Sequence, residues 1–237
     1  MNDFWMLIIW GFTTLAVAGL SVILGRRFGL SYIVATMASM LLVSNILATK
    51  LIVIWHYNVP AGVLPFATTF LITDLVAEKW GKEAARRTIW TSFYANLVVL
   101  VPIYIAVQWK EAFPSELFDS FNDVMALAPR IILASFAAYI VSQHHDVFAF
   151  QFWKRITKGK HLWLRNNAST MVSQFIDTII FITIAFGGRG DVPPLMVLIV
   201  GQYVIKLIIA AVDTPLMYMI SYVVDRIPTK ETENSKT

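Results

Sequence analysis

The 237-residue chain is too apolar and too weakly charged for a water-soluble globular domain. Hydrophobic residues make up 57% of it and charged residues only 14%, whereas a soluble domain carries about 25% charged residues. The net charge of +4 comes from short basic clusters between apolar runs, so it does not indicate nucleic-acid binding. The lack of cysteine excludes disulfides, thiolate metal sites and cysteine catalysis. The mean hydropathy of +0.66 predicts an all-α, polytopic membrane helix bundle.

Seven apolar runs approach or exceed the length of about 20 residues that crosses a membrane as a helix. They lie at 5–24, 31–55, 61–77, 89–108, 131–152, 162–186 and 195–223. The third run is short and contains Pro65, so whether it crosses fully is left open. We expect residues 1–228 to form a single transmembrane domain and residues 229–237 to form a disordered cytoplasmic tail.

Lysine and arginine cluster in alternate connections between these runs. The clusters lie at Arg26–Arg27, Lys79–Arg87, Lys154–Lys160 and Arg226–Lys230. By the positive-inside rule these connections are cytoplasmic, which places the N-terminus outside and the C-terminus inside. The longest outer connection, Trp109 to Pro129, has apolar residues at helical spacing and is expected to contain an amphipathic helix on the membrane surface.

The sixth apolar run carries a polar stripe. On a helix, one face presents Asn166, Thr170, Ser173 and Asp177, with Ser169 and Gln174 beside them. A charged carboxylate near the middle of a bilayer costs roughly 3 kcal/mol on insertion scales, so it normally faces other helices or a wet cavity. Helix-to-helix hydrogen bonding is the alternative interpretation. The combination of Asp177 and Gln174 favours a polar cavity.

Other runs also carry polar residues. The fifth run repeats the spacing with Ser135, Tyr139, Ser142 and Asp146, and Gln143 lies near the midplane. Further polar residues are Asn45, Lys50, Asp74, Asn96, Gln202, Lys206 and Asp213. Lys206 is expected at the depth of Asp177, and an isolated ammonium there is costly, so we predict that the two residues pair. A purely structural ion pair is the alternative.

The polar side chains suit a small neutral ligand with several hydrogen-bond donors and acceptors, such as a nucleobase-like heterocycle. Candidates to stack on a flat ring are Tyr139, Phe175, Phe181 and Tyr203, although such aromatics also serve as plain packing. The run His144-His145-Asp146 does not predict a metal site, because adjacent helical residues point about 100° apart. No phosphate-binding loop occurs, and no motif supports a serine–histidine pair. We therefore expect no enzyme activity, cofactor or metal.

Several segments together resemble the YhhQ family, also called VUT for vitamin uptake transporter. They are TDLVAEKWG from Thr73, ARR from Ala85, RIILASFAAYIVSQHHDVFAF from Arg130, LWLRNNASTMVSQFIDTIIF from Leu162 and YVIKLIIAAVDTPLMY from Tyr203. The resemblance extends from Ser31 to about Ile227. It implies a six-helix core like the substrate-binding subunits of energy-coupling-factor transporters, to which the first helix is an addition. It also implies inner-membrane uptake of the queuosine precursors 7-cyano-7-deazaguanine and 7-aminomethyl-7-deazaguanine.

The resemblance and the polar stripes together give two sets of candidate residues. The substrate-binding set is Asn45, Gln143, Ser169, Thr170, Ser173, Gln174, Asp177 and Lys206. The gate or proton set is Asp74, Arg130 and Asp146. Three alternatives stay open: a binding subunit that needs a separate ATPase, an intramembrane enzyme, and a structural membrane protein. Besides substrate and lipid, a homo-oligomer or coupling subunits are left open as partners, as is the energy source.

Overall fold

The computed structural model describes the backbone of residues 3–156 and 162–226. Over these residues the chain forms seven helices and one two-stranded hairpin. The helices are α1 (Asp3–Phe28), α2 (Ser31–Leu47), α3 (Val63–Trp80), α4 (Lys82–Gln108), α5 (Glu116–Ile156), α6 (Leu162–Phe186) and α7 (Leu195–Asp225). The strands are β1 (Leu51–Ile54) and β2 (Tyr57–Pro60). The predicted helix bundle is confirmed, with the hairpin added to it, while the predicted tail at 229–237 lies outside the described residues.

Four of the described helical segments are long and apolar enough to cross a membrane. They are Trp5–Phe28, Lys82–Gln108, Glu116–Ser142 and Leu195–Val212, while Ser31–Leu47 and Met171–Phe186 are apolar but shorter. Large apolar side chains cover the outside of the bundle, and Phe12, for example, is 75% exposed. Soluble monomers rarely expose extended apolar surface of this kind. The protein is therefore a multi-pass membrane protein, and the count of seven spans stays a prediction.

The second predicted span, 31–55, differs most from the structure, because its helix ends at Leu47. The rest of that run turns back on itself as the antiparallel hairpin. Its four Cα pairs are Leu51–Pro60, Ile52–Val59, Val53–Asn58 and Ile54–Tyr57. The amide of Ala61 donates to the carbonyl of Lys50 at 2.8 Å and closes the base of the hairpin. Three of the four β1 residues are β-branched, which favours a strand over a helix.

The hairpin packs against the side of α7. Val59 is fully buried there, in an apolar cluster with Ile54, Val63 and Ile205. A β-carbon on Gly201 would overlap the carbonyl oxygen of Asn58, so the strand approaches α7 this closely only because residue 201 is glycine. Non-helical backbone at membrane depth is tolerated where protein covers it, and this packing provides that cover.

Two further helices differ from the predicted spans in extent. The third begins at Val63 and carries Pro65 in its first turn, where the missing N–H removes no helical hydrogen bond. The fifth runs without a break from Glu116 to Ile156 and contains Pro129. The expected surface helix of the outer connection is therefore the first part of α5 rather than a separate element.

Besides the cluster around Val59, two larger apolar clusters fill the bundle. The cluster built mainly from α1 to α4 contains Val22, Ile33 and Ile72, and the cluster built from α5 to α7 contains Ile182 and Leu198, all fully buried. The bundle also contains a set of buried polar side chains, which we call the polar layer: Ser44, Asn45, Asn96, Ser135, Asp177, Gln202 and Lys206. The candidate site is therefore in the buried interior of the bundle.

Candidate functional site

A narrow cavity lies in the polar layer, where α2, α3, α5, α6, α7 and the base of the hairpin meet. It is lined by Ser44, Asn45, Ala48, Pro60, Gly62, Val63, Phe66, Ser135, Asp177, Phe181, Gln202 and Lys206. The cavity volume open to the centre of a water-sized sphere is about 20 Å³. By this measure one water needs roughly 10–15 Å³, so this conformation has room for about one. A flat heterocycle requires the surrounding helices to move apart.

Lys206 of α7 and Asp177 of α6 form an ion pair at this cavity. The distance from Lys206 Nζ to Asp177 Oδ2 is 2.5 Å, and both side chains are 3% exposed. The ammonium also lies 5.4 Å from the centre of the Phe66 ring, within the range of a cation–π contact. Desolvation of two buried charges offsets most of their attraction, so such a pair is a weak way to gain stability. Its place at the wall of a buried cavity favours a functional role, and the contact predicted from the sequence is present.

The side chain of Asn45 is fixed by a hydrogen-bond network that joins α2 to α4 and α5. Ser135 Oγ donates to Asn45 Oδ1 at 2.7 Å, and Asn45 Nδ2 donates to Asn96 Oδ1 at 3.3 Å. Asn96 Nδ2 in turn donates to the carbonyls of Ala38 and Ser92 at 3.2 and 3.0 Å. The network sets the direction of the Asn45 amide at the cavity wall. A pre-oriented amide of this kind can recognise a polar solute at low entropic cost.

The base of the hairpin forms one wall of the cavity. Ser44 Oγ donates to the carbonyl of Gly62 at 2.7 Å, which ties α2 to the start of α3. A β-carbon on Gly62 would overlap the Ser44 carbonyl oxygen, so residue 62 must be small for the two segments to touch. Because Pro60 and Val63 also line the cavity, any movement of the hairpin changes the cavity's shape.

Two aromatic rings line the cavity, and only one of them, Phe181, was among the predicted stacking residues. The second is Phe66 of α3, beside the Lys206 ammonium. Phe175 and Tyr203 instead pack edge to face, with ring centres 5.1 Å apart. The last predicted stacking residue, Tyr139, packs on Phe93 with ring centres 4.6 Å apart and belongs to the first apolar cluster. The flat contact surface at the cavity is therefore supplied by Phe66 and Phe181.

Two other predicted substrate-binding residues on α6 lie near Asp177. Ser173 is buried, and its Oγ lies 3.0 Å from Nδ1 of His145. Gln174 Oε1 and Asp177 Oδ1 are buried acceptor atoms without a hydrogen-bond partner among the described residues. The side chains of the remaining predicted site residues, Gln143, Ser169, Thr170 and Asp146, lie outside the described residues.

The two predicted gate residues with described side chains are not part of the cavity lining. Asp74 is exposed on α3. Arg130 Nε donates to the carbonyl of Ile184 at 2.7 Å, and its Nη2 donates to the carbonyl of Gly187. These carbonyls lie at the C-terminal end of α6, where no helical N–H reaches them. Arg130 thus caps α6 from α5.

An exposed ion pair lies in the connection between α6 and α7. Arg189 Nε donates to Asp191 Oδ1 at 3.0 Å, and this hydrogen bond holds the pKa of the Asp191 carboxyl below its usual range. Asp191 is therefore a charged, exposed counterpart to the buried Asp177. It offers a matched position for control substitutions.

Sequence reasoning named Asn45, Asp177 and Lys206 as substrate-binding residues. It listed Ser135 and Gln202 only as polar residues of their helices and did not single out Ser44 or Phe66. Ser44 and Phe66 look like ordinary membrane-helix residues in the sequence, and only their neighbours in space show that they line the cavity. Gln202 had a usable signal, because it precedes Lys206 by four residues and so shares its helix face. Among the described residues no group of three His, Cys, Asp or Glu side chains could hold a metal ion. The donors and acceptors present suit hydrogen bonding to a small polar solute.

Comparison with known proteins finds one matching protein family and several similar proteins. Residues 60–220 match the model of a protein family described as "Putative vitamin uptake transporter". The chain is 30% identical over 177 residues to the "Probable queuosine precursor transporter" of Bacillus subtilis (strain 168), covering 74% of this chain and 77% of that protein. It is 34% identical over 130 residues to the Haemophilus influenzae protein of the same name, and the match covers 55% of this chain and 53% of that protein. It is 29% identical over 151 residues to the "Queuosine precursor transporter" of Escherichia coli (strain K12), and the match covers 62% of this chain and 64% of that protein.

No solved structure matches the chain, so the expected likeness to energy-coupling-factor subunits stays a prediction. The region that matches the family model runs from the end of the hairpin through most of α7 and contains both members of the buried ion pair. It covers more than half of the chain. The chain therefore belongs to the vitamin uptake transporter (YhhQ/VUT) family, as its resemblance had indicated.

Proposed function

We propose that this protein is a carrier that imports 7-deazaguanine bases, the precursors of queuosine, through the cavity in the polar layer. The observation that carries the proposal is the buried Lys206–Asp177 pair at the wall of a cavity lined by amides, hydroxyls and two aromatic rings. Such groups can hydrogen-bond the edge of a flat base and stack on its face. The names of the three relatives point to the same class of solute.

In this proposal Asn45 and Asp177 contact the edge of the base, and Lys206 holds Asp177 in place. Gln143, Ser169 and Thr170 extend the site toward the cytoplasmic side. Transport requires the cavity to widen and to open alternately to each side of the membrane. The base of the hairpin, which lines the cavity, is well placed to move in that step.

Asp74 and Asp146 are proposed to act on the cytoplasmic side as a gate or proton site. Arg130 is proposed to act at the other end, where it fixes the closing turn of α6. Intramembrane carboxylates commonly serve proton-coupled steps in transporters. Uptake driven by protons would therefore depend on one of these aspartates.

The inner membrane is proposed as the location, with the N-terminus outside and the C-terminus in the cytoplasm. The basic ends of the helices support this orientation, because α1, α3 and α7 all end on the face that carries the basic clusters. Lys79 and Asp225 form a 2.7 Å ion pair there and tie the ends of α3 and α7 together. Residues 1–228 are proposed as one transmembrane domain.

Uptake of labelled 7-cyano-7-deazaguanine into liposomes containing only this chain tests the function. We expect saturable uptake without ATP, and a pH gradient shows whether protons drive it. No uptake without an ATPase partner, but tight binding in detergent, would identify a binding subunit instead. Recovery of a chemically altered base by mass spectrometry would identify an enzyme. The absence of any saturable binding would contradict the proposal.

A further inference from the structure

Two unsatisfied acceptor atoms on α6, one of them on the cavity-lining residue Asp177, bear on which bases the protein selects. Asp177 is 2% exposed, yet only its Oδ2 has a partner, the Lys206 ammonium. Its Oδ1 is buried without a hydrogen-bond partner among the described residues, as is Oε1 of Gln174. A buried acceptor left without a donor costs free energy comparable to a lost hydrogen bond. Both atoms therefore favour a solute that brings N–H groups.

The positions of these residues on α6 put the two acceptors next to each other. Gln174 and Asp177 are three residues apart, so their side chains are neighbours on one face of the helix. A carboxylate is acceptor-only, so Asp177 Oδ1 can accept an N–H from a solute while Oδ2 stays on Lys206. The carboxamide of Gln174 can rotate to offer its oxygen or its NH2 group, so it adapts to what lies beside the donor pair.

We propose that Asp177 and Gln174 form an acceptor pair that selects bases through two adjacent N–H donors, the ring N–H and the amino group of a 2-amino-4-oxopyrimidine ring. This inference rests on the proposed function and adds the chemical edge by which the solute is chosen. A base with a 4-oxo group but no 2-amino group leaves one acceptor unsatisfied. A site built to hydrogen-bond a group rejects analogues that lack it, because its own buried polar atoms then stay unpaired.

The test compares two ligands on the full chain in detergent: 7-cyano-7-deazaguanine and the same base without its 2-amino group, 7-cyano-7-deazahypoxanthine. We expect the first to bind roughly 10- to 100-fold more tightly, the range that corresponds to one hydrogen bond to a charged acceptor. We assign the 2-amino group to Asp177 and the ring N–H to Gln174, so Asp177→Asn, which can present a donor in place of that acceptor, should bring the ratio of the two affinities toward one. The same substitution in the exposed outer loop, Asp191→Asn, should leave the ratio unchanged.

Gln174→Met supplies a second test if Asp177→Asn does not fold. It removes the acceptor of the ring N–H, which both bases carry, without touching the ion pair, so it should weaken the binding of both bases; unchanged binding of both would contradict the acceptor pair. Equal binding of the two bases by the wild type would overturn the inference while leaving the carrier function intact. Binding of neither base would overturn both. An unchanged affinity ratio in a folded Asp177→Asn would also overturn the inference.

Discussion

Lys206→Met should destabilise the protein because it leaves the Asp177 carboxylate buried without its counter-ion. Two unit charges 2.5 Å apart attract by about 7 kcal/mol at an effective dielectric constant of about 20. Most of that attraction only offsets the free energy of desolvating the two charges. Removing one partner leaves the other charge buried and unpaired, which typically destabilises a protein by about 3–5 kcal/mol. Methionine keeps the length of the lysine stem, so the lost charge rather than a new cavity dominates the change.

Thermal unfolding in detergent measures this effect. A loss of 1 kcal/mol lowers the midpoint by about 2–4 °C in a chain of 150–250 residues, so Lys206→Met should lower it by roughly 10 °C. The double variant Lys206→Met with Asp177→Asn has no unpaired charge and should regain a large part of that loss. The matched control is Lys79→Met with Asp225→Asn, because that pair lies at a helix end and Asp225 is 62% exposed. Exposed pairs contribute about 0–1 kcal/mol.

The double-mutant cycle decides whether the two buried charges depend on each other. If the losses in the single variants at positions 206 and 177 simply add in the double variant, the residues are not coupled. The reasoning from burial and distance would then be refuted, however large each single loss is.

Three more substitutions test other parts of the structure. Gly201→Val should lower the unfolding midpoint by overlapping the Asn58 carbonyl and pushing the hairpin off α7, with a cost of about 1–3 kcal/mol, and an unchanged midpoint would contradict this contact. Asn45→Ala leaves the Ser135 hydroxyl without its acceptor, so it should lower the free energy of unfolding by about 1–3 kcal/mol and weaken base binding. Wild-type affinity of this variant in a calorimetric titration would remove Asn45 from the site. Arg130→Met uncaps α6 and should slow uptake more than it changes the half-saturation concentration, and the reverse pattern would argue for direct solute contact.

The helices and the central ion pair could be predicted because, in a membrane, unpaired backbone groups and unpaired charges are both very costly in free energy. Apolar runs near 20 residues can bury their backbone polar groups only as helices. A lone ammonium and a lone carboxylate at one depth are both too costly, so Lys206 and Asp177 had to find partners. Their contact followed from depth alone, without any knowledge of which helices are adjacent.

The hairpin could not be predicted in the same way, because an apolar run carries no sign of where a helix stops. Residues 31–55 read as one span by hydropathy, although Lys50 and the β-branched residues after it are a weak signal for a break. The chain can form this hairpin only because α7 packs over the strands. That packing depends on Gly201, about 140 residues further along the chain. The role of Phe66 was hidden for a similar reason, since a phenylalanine in a membrane helix faces lipid, core or cavity with the same sequence pattern.

The most direct test of a solute path through the polar layer is the labelling of one cysteine at the cavity. The natural chain has no cysteine, so Ser44→Cys gives a single reactive thiol among the lining residues. A membrane-impermeant thiol reagent should modify it in reconstituted liposomes, and saturating 7-cyano-7-deazaguanine should slow that reaction, while 7-cyano-7-deazahypoxanthine should slow it less. A thiol that reacts equally fast with and without the deazaguanine, or that never reacts from either side of the membrane, would contradict a carrier built on this cavity.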